Sequence, residues 1–129
     1  MEGQTFGKFI AEKRMERGWS LRVLAGRLGI TAAYLSDVEN SRRRAFDLTR
    51  LRSFARAVNL SRADTDRLYD LAGKDRGEPS PDVSEYLTDN GYICAALRTV
   101  RTLNANEDDW QQMLEELKNR KDEENRKRG

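Results

Sequence analysis

Apolar residues recur every three or four positions along most of the chain, the period of helices that lay one face on a core. Phe6, Phe9 and Ile10 begin the first stripe, which runs to Arg17 and stops at Gly18, a residue suited to a left-handed helix end. Ser20 reads as the N-cap of a helix Leu21–Leu28, with Leu21, Leu24, Ala25 and Leu28 on one face. Gly29 ends that helix in a tight turn. Thr31 caps the next, Ala32–Glu39, with Leu35 and Val38 inward. Asp47 caps a fourth helix, apolar at Leu48, Leu51, Phe54, Ala55 and Val58, and Ser61 a fifth, apolar at Leu68, Leu71 and Ala72.

Residues 73–82, GKDRGEPSPD, hold two glycines and both prolines, and this breaker cluster predicts a boundary between residues 1–77 and 78–129. A short helix, Val83–Thr88, and one around Tyr92–Leu103 follow. Asn106 then caps a long helix whose first turn carries Glu107, Asp108 and Asp109, where the helix dipole favours acids. Trp110, Met113, Leu114 and Leu117 form its apolar stripe. From Lys118 onward there is no apolar residue, so the tail 118–129 is expected to fray. The pattern predicts an all-α chain: five helices over residues 6–72 and about three over 82–118. Aromatic residues make up 8% of the 129, few for a large β-sandwich or barrel.

Composition narrows the chemistry. No run of about 18 apolar residues exists to span a membrane, and the first residues, MEGQTFGKFIAEKR, lack the apolar core of a signal peptide. A single cysteine, Cys94, cannot form an internal disulfide, so a cytoplasmic protein is expected. The chain has no histidine. That removes the His general base, the Cys–His dyad and the His zinc ligand. No Gly-rich phosphate loop is present, so neither an enzyme nor a cofactor or metal site is expected. Residues 1–77 hold 16 basic and 10 acidic side chains, net +6; residues 78–129 hold 8 and 12, net −4. A basic part joined to an acidic part suits a nucleic-acid binder with a separate partner-binding segment.

The sharpest signal lies in SLRVLAGRLGITAAYLSDVEN. Two short helices flank Gly29-Ile30-Thr31, with Ala25 inside the first. Ala25 lets the second helix cross close by, Gly29 permits the turn, Ile30 fills the gap, and Leu35 and Val38 anchor the second helix. This stretch resembles the XRE family of phage-repressor-like helix-turn-helix domains. The family pattern of apolar-Ala, Gly-apolar-Ser/Thr and apolar-Ser-x-apolar-Glu is met by Leu24-Ala25, Gly29-Ile30-Thr31 and Leu35-Ser36-Asp37-Val38-Glu39. The resemblance spans roughly Phe6 to Leu71.

The resemblance implies a five-helix phage-repressor-like domain with a short helical C-terminal extension. It also implies a dimeric, sequence-specific regulator, usually a repressor, on a palindromic operator in double-stranded DNA. Thr31, Ala32, Ala33, Tyr34 and Asp37 would face the bases. Arg22, Arg27, Ser36, Arg42, Arg43 and Arg44 would lie on the phosphate side. Arg14 and Glu39 match a structural ion pair of the family. Three positions depart from the pattern: Leu21 stands where a phosphate-touching Gln is common, Lys13 where an apolar residue is usual, and Asn40-Ser41 where Asn/Lys-Gly is typical. Lys13 is expected to lay its stem on the core with its amine in water, and Asn40 to take the left-handed cap.

Residues 78–129 carry no chemical motif. Their apolar set, which includes Tyr86, Leu87 and Ile93, is too small for an independent core. Leu97, Val100, Trp110, Met113, Leu114 and Leu117 are the candidates for a dimer or partner surface. The layout also resembles repressors with a short helical extension that are encoded near a zinc metallopeptidase that cleaves them. An antitoxin whose C-terminal part neutralises a toxin is the alternative of a different class. RNA is disfavoured, because no stacking aromatics line a basic sheet or groove.

Overall fold

The computed structural model describes residues 3–129 and, among them, helices and their connections only. The helices are α1 (Phe6–Glu16), α2 (Leu21–Leu28), α3 (Ala32–Glu39), α4 (Leu48–Ala57), α5 (Arg62–Arg76), α6 (Pro81–Asp89), α7 (Tyr92–Thr102) and α8 (Glu107–Arg128). The chain divides into two compact units after Thr88. The breaker cluster therefore lies inside the first unit, across the end of α5 and the start of α6, rather than between the units.

Side-chain caps start α1 to α5. Thr5, Ser20, Thr31, Asp47 and Ser61 accept from the backbone N–H groups of Lys8, Val23, Tyr34, Arg50 and Asp64. Each capping oxygen satisfies one N–H that the first helical turn leaves without a partner. Phe6, Phe9, Ile10, Leu24, Leu35, Val38, Leu51, Phe54, Val58 and Leu68 fill one core, together with Ala25, Ala45, Phe46, Leu71 and Ala72. Phe46 stands just before the Asp47 cap, in the N′ place of a hydrophobic staple, and Leu51 at the matching place in the helix; both are fully buried.

Two of the glycines are fixed by close approach. A Cβ on Gly7 would lie 2.4 Å from the Glu39 carbonyl oxygen and 2.5 Å from that of Val38, so α1 meets the end of α3 backbone to backbone. A Cβ on Gly73 would lie 2.9 Å from the Glu78 and Pro79 backbones. Gly73 does not break α5, which runs on to Arg76. Gly77 ends it at φ 68°, with the Glu78 N–H donating to the Gly73 carbonyl at 2.9 Å. Pro81 opens α6 at the first helical position, where its missing N–H costs nothing. Glu85 of α6 pairs with Arg52 of α4 at 2.7 Å.

In the second unit, Asn106 and Asp109 form a reciprocal capping box at the start of α8. The expected fraying of residues 118–129 is not what the structure has, since α8 continues to Arg128. Lys121–Glu124 at 3.2 Å and Lys127–Glu123 at 4.0 Å tie successive turns. Arg126, Lys127 and Arg128 set positive charge at the negative end of the helix dipole. No residue of α7 or α8 is buried. No helix among the described residues is long and apolar enough to cross a membrane.

Candidate functional site

The segment that joins α2 to α3 is built by local chemistry. Gly29 takes φ 68°, and the Ile30 N–H turns back to the Ala25 carbonyl at 3.0 Å. Ile30 is half-buried against the core, and Ala25 is buried where the two helices cross. Leu35 and Val38 seat α3 on that core. The result is a short helix with its N-terminal outer side open to solvent.

Electrostatics tie α3 to the scaffold. Arg14 Nε donates to Glu39 Oε2 at 2.8 Å, and Arg14 Nη2 to Glu39 Oε1 at 2.9 Å. Arg14 Nη1 donates to the Trp19 carbonyl at 2.8 Å, so one guanidinium joins α1, α3 and the chain leading into α2. The side chains are 14% and 7% exposed, dry enough for the fork to matter. The hydrogen bonds to Glu39 hold the Arg14 guanidinium above its ordinary range. Beside it, Lys13 does not leave its amine in water. It sits 3.0 Å from Asp64 and 3.4 Å from Glu16, with Phe9 beneath it at 5.5 Å. The hydrogen bond to Asp64 is the main cause of its raised pKa, against the opposing effect of burial.

The chain leaves α3 through a left-handed residue, and that residue is Ser41 at φ 61°, not Asn40. Asn40 instead stays near helical geometry and donates its side-chain amide to the Ser36 carbonyl at 2.8 Å. Arg42 N–H returns to the Asp37 carbonyl at 2.8 Å. Arg42, Arg43 and Arg44 then project from an exposed loop. Two side chains of α5 grip the loop's far end: Asp75 accepts from the Ala45 N–H at 2.7 Å, and Arg76 Nη1 donates to the Ala45 carbonyl at 2.9 Å. Phe46, buried against Phe6 in an edge-to-face contact, completes the anchor.

The remaining side chains fall into distinct surroundings. Thr31 is exposed and spends its hydroxyl oxygen on the Tyr34 N–H at 3.0 Å. Ala33 is exposed, whereas Ala32 is half-buried against the core. Tyr34 is half-buried, its ring 6.3 Å from that of Phe46 and beneath the Arg50 guanidinium at 5.5 Å. Asp37 lies 3.8 Å from Arg42, which offsets its charge. Arg44 faces Glu78 at 3.8 Å. Ser36 is half-buried and Arg22 exposed on α2. Arg27 stacks on Trp19 at 4.3 Å.

Tyr34, Arg43, Arg44, Asp47, Arg50 and Arg76 line an open groove of about 270 Å³ beside α3. Sequence reading does not place Arg50 and Arg76 in this surface. A signal for Arg50 exists, three residues past the Asp47 cap in the first turn of α4. Arg76 lies far away in sequence, and no spacing rule connects it to residue 45. Among the described residues no cluster of metal-ligating side chains occurs.

Residues 5–68 match the model of a family described as a helix-turn-helix domain. A solved structure, the SinR protein/SinI protein complex, is 22% identical with a TM-score of 0.46, covering 92% of this chain and 99% of that one. No curated protein matches the chain.

Proposed function

Residues 5–68 of this chain belong to the helix-turn-helix domain family, and from that premise we propose that this DNA-binding transcriptional regulator is a repressor of the XRE type. It acts as a dimer on a palindromic operator. The observation that carries this reading is the join of one open helix end to one basic loop on a common rigid support. At the start of α3, the Thr31 cap and Ala33 stand exposed, with Tyr34 half-buried beside them. In the loop that follows, Arg42, Arg43 and Arg44 project from a segment pinned at both ends.

The division of labour follows from charge. Arginines contact phosphates and supply salt-dependent affinity with little sequence preference. We assign that work to Arg43, Arg44 and Arg50, which line the groove, with Arg22 and Arg27 on the α2 side and the Ser36 hydroxyl as a neutral donor. Ala33 and Ala32 can touch thymine methyls, Tyr34 can donate to a phosphate, and Asp37 can accept from cytosine N4 while Arg42 screens it. The Arg14–Glu39 fork keeps α3 at a fixed angle to the rest of the domain. One such domain reads few bases, and two half-sites about 34 Å apart are the usual remedy.

Selection from a random DNA library with the purified protein tests this. The expected result is an inverted repeat, and replacing Ala33 with Gln changes the preferred base at one position in each half. A selection that returns no motif overturns the sequence-specific reading.

A further inference from the structure

We infer that the exposed face of α8 is covered by the same face of a second copy, with the two α8 helices antiparallel and centred between Met113 and Leu114. This rests on the dimer reading above and specifies its geometry. Trp110, Met113, Leu114 and Leu117 are each about two-fifths to one-half exposed, and nothing in the second unit is buried. Val100, Leu103, Ala105 and Met113 line an open groove of about 370 Å³ between α7 and α8. Two helices with no buried residue between them do not make a stable core, so the apolar face calls for a partner.

The charges along α8 say which partner fits. At about 100° per residue, the four apolar side chains share one stripe. Glu107 borders it on one side and Asp109 and Arg120 on the other, and Lys121 continues the stripe one turn past Leu117, toward the Glu107 side. Of these four, the acids stand at the N-terminal end and the bases toward the C-terminal end. A parallel two-fold pairing brings opposite flanks together and would set Glu107 near the partner's Asp109, which is repulsive. In an antiparallel pairing, matching flanks meet head to tail. With the dyad between residues 113 and 114, Trp110 meets the partner's Leu117 and Met113 meets the partner's Leu114. In the same register Glu107 comes within one residue of the level of the partner's Lys121, on the matching side of the stripe. One register thus serves the apolar stripe and the Glu107–Lys121 pair together, and the surface is self-complementary as a two-fold axis requires. A foreign partner would have to carry this same pattern.

Disulfide trapping in the full chain tests the arrangement. Glu107→Cys and Lys121→Cys are made separately, each with Cys94→Ser to remove the native thiol. The two variants mixed are expected to form a crosslinked dimer under mild oxidation, whereas neither crosslinks with itself. Sedimentation of the unmodified chain is measured alongside. Self-crosslinking of each variant, or a dimer that gives no crosslink in any combination, overturns this geometry and leaves the dimer reading standing. A monomer at high micromolar concentration overturns both, and points to a different protein as the occupant. Charge exchange gives an independent readout: Lys121→Glu weakens association roughly tenfold or more, and adding Glu107→Lys restores most of it. No restoration, with the helical signal intact, counts against the register.

Discussion

Arg14 and Glu39, 25 residues apart, meet fork to fork with nitrogen–oxygen distances of 2.8 and 2.9 Å, and the third arm of the guanidinium holds the Trp19 carbonyl. Removing one partner strands a charge that is mostly shielded from water. Arg14→Ala is expected to lower stability by about 3 kcal/mol, read from urea denaturation. Arg14→Lys keeps the charge but loses the bidentate geometry, so it recovers less than half of that loss. Full stability in the alanine variant would mean the fork is incidental to the fold.

Lys13 supplies a pH dependence. Its folded pKa is raised above the ordinary value of 10.5, chiefly by the hydrogen bond to Asp64. A raised lysine stabilises the fold fully below its unfolded pKa and loses that contribution as pH rises through the folded one. The urea midpoint of the wild type is therefore expected to fall more steeply above pH 10.5 than that of Asp64→Asn. The two curves converge at higher pH. Parallel curves across that range would show that the pair contributes nothing.

Gly7 makes a separate demand on the position of α3. With backbone oxygens of Glu39 and Val38 at 2.4 and 2.5 Å from a Cβ there, Gly7→Ala forces α1 and α3 apart. The helix propensity gained by alanine, about 1 kcal/mol, is smaller than the strain of overpacking against backbone. A net loss of about 1–3 kcal/mol is expected, together with weaker DNA binding because the end of α3 shifts. A higher melting temperature for the Gly7→Ala variant would contradict the close approach.

The two-helix motif is legible in the sequence because each of its steps has a local cause: Ser20 and Thr31 as caps, Gly29 at positive φ, and Leu24, Leu35 and Val38 at helical spacing. What the residues alone do not disclose is long-range. Gly7 looks like an ordinary helix residue until α3 is seen to abut it. Asp75 and Arg76 look like surface charges until Ala45 is seen between them. Breakers mislead in two places. Gly73 reads as part of a boundary, although packing, not turning, requires a glycine there. Asn40 reads as the left-handed residue, although its side chain is better used on the Ser36 carbonyl and Ser41 takes the turn. The tail of α8 reads as frayed from its lack of apolar residues, but ion pairs a turn apart and the basic last turn favour helix without any core.

Arg43 lines the groove beside Tyr34 and Arg50, and it is exposed. If it neutralises one phosphate, Arg43→Ala should weaken binding on every sequence to a similar degree. The slope of log K against log salt should flatten by about 0.9. Affinity measured from low to moderate salt on an operator and on an unrelated duplex checks both statements. A change confined to the operator would move Arg43 from the phosphates to the bases.

Removing the second unit separates reading from assembly. Every residue of the buried core lies between Phe6 and Ala72, and α6 is tied to α4 through Glu85 and Arg52. A chain ending at Thr88 therefore keeps its whole core and is expected to unfold cooperatively, with a helical spectrum. It loses α7 and α8, and with them Leu97, Val100, Trp110, Met113, Leu114 and Leu117. The fragment is expected to sediment as a monomer. A single half-site should be bound with nearly the affinity of the intact chain, because the α2–α3 segment and its arginine loop are unchanged. On the full palindrome the loss should reach about a hundredfold, since two linked half-sites gain from effective concentration and two free ones do not. The contrast between half-site and palindrome makes the test specific: equal losses on both would mean that the second unit supports the fold of the first, and a dimeric fragment with undiminished palindrome binding would put the dimer contact within residues 1–88.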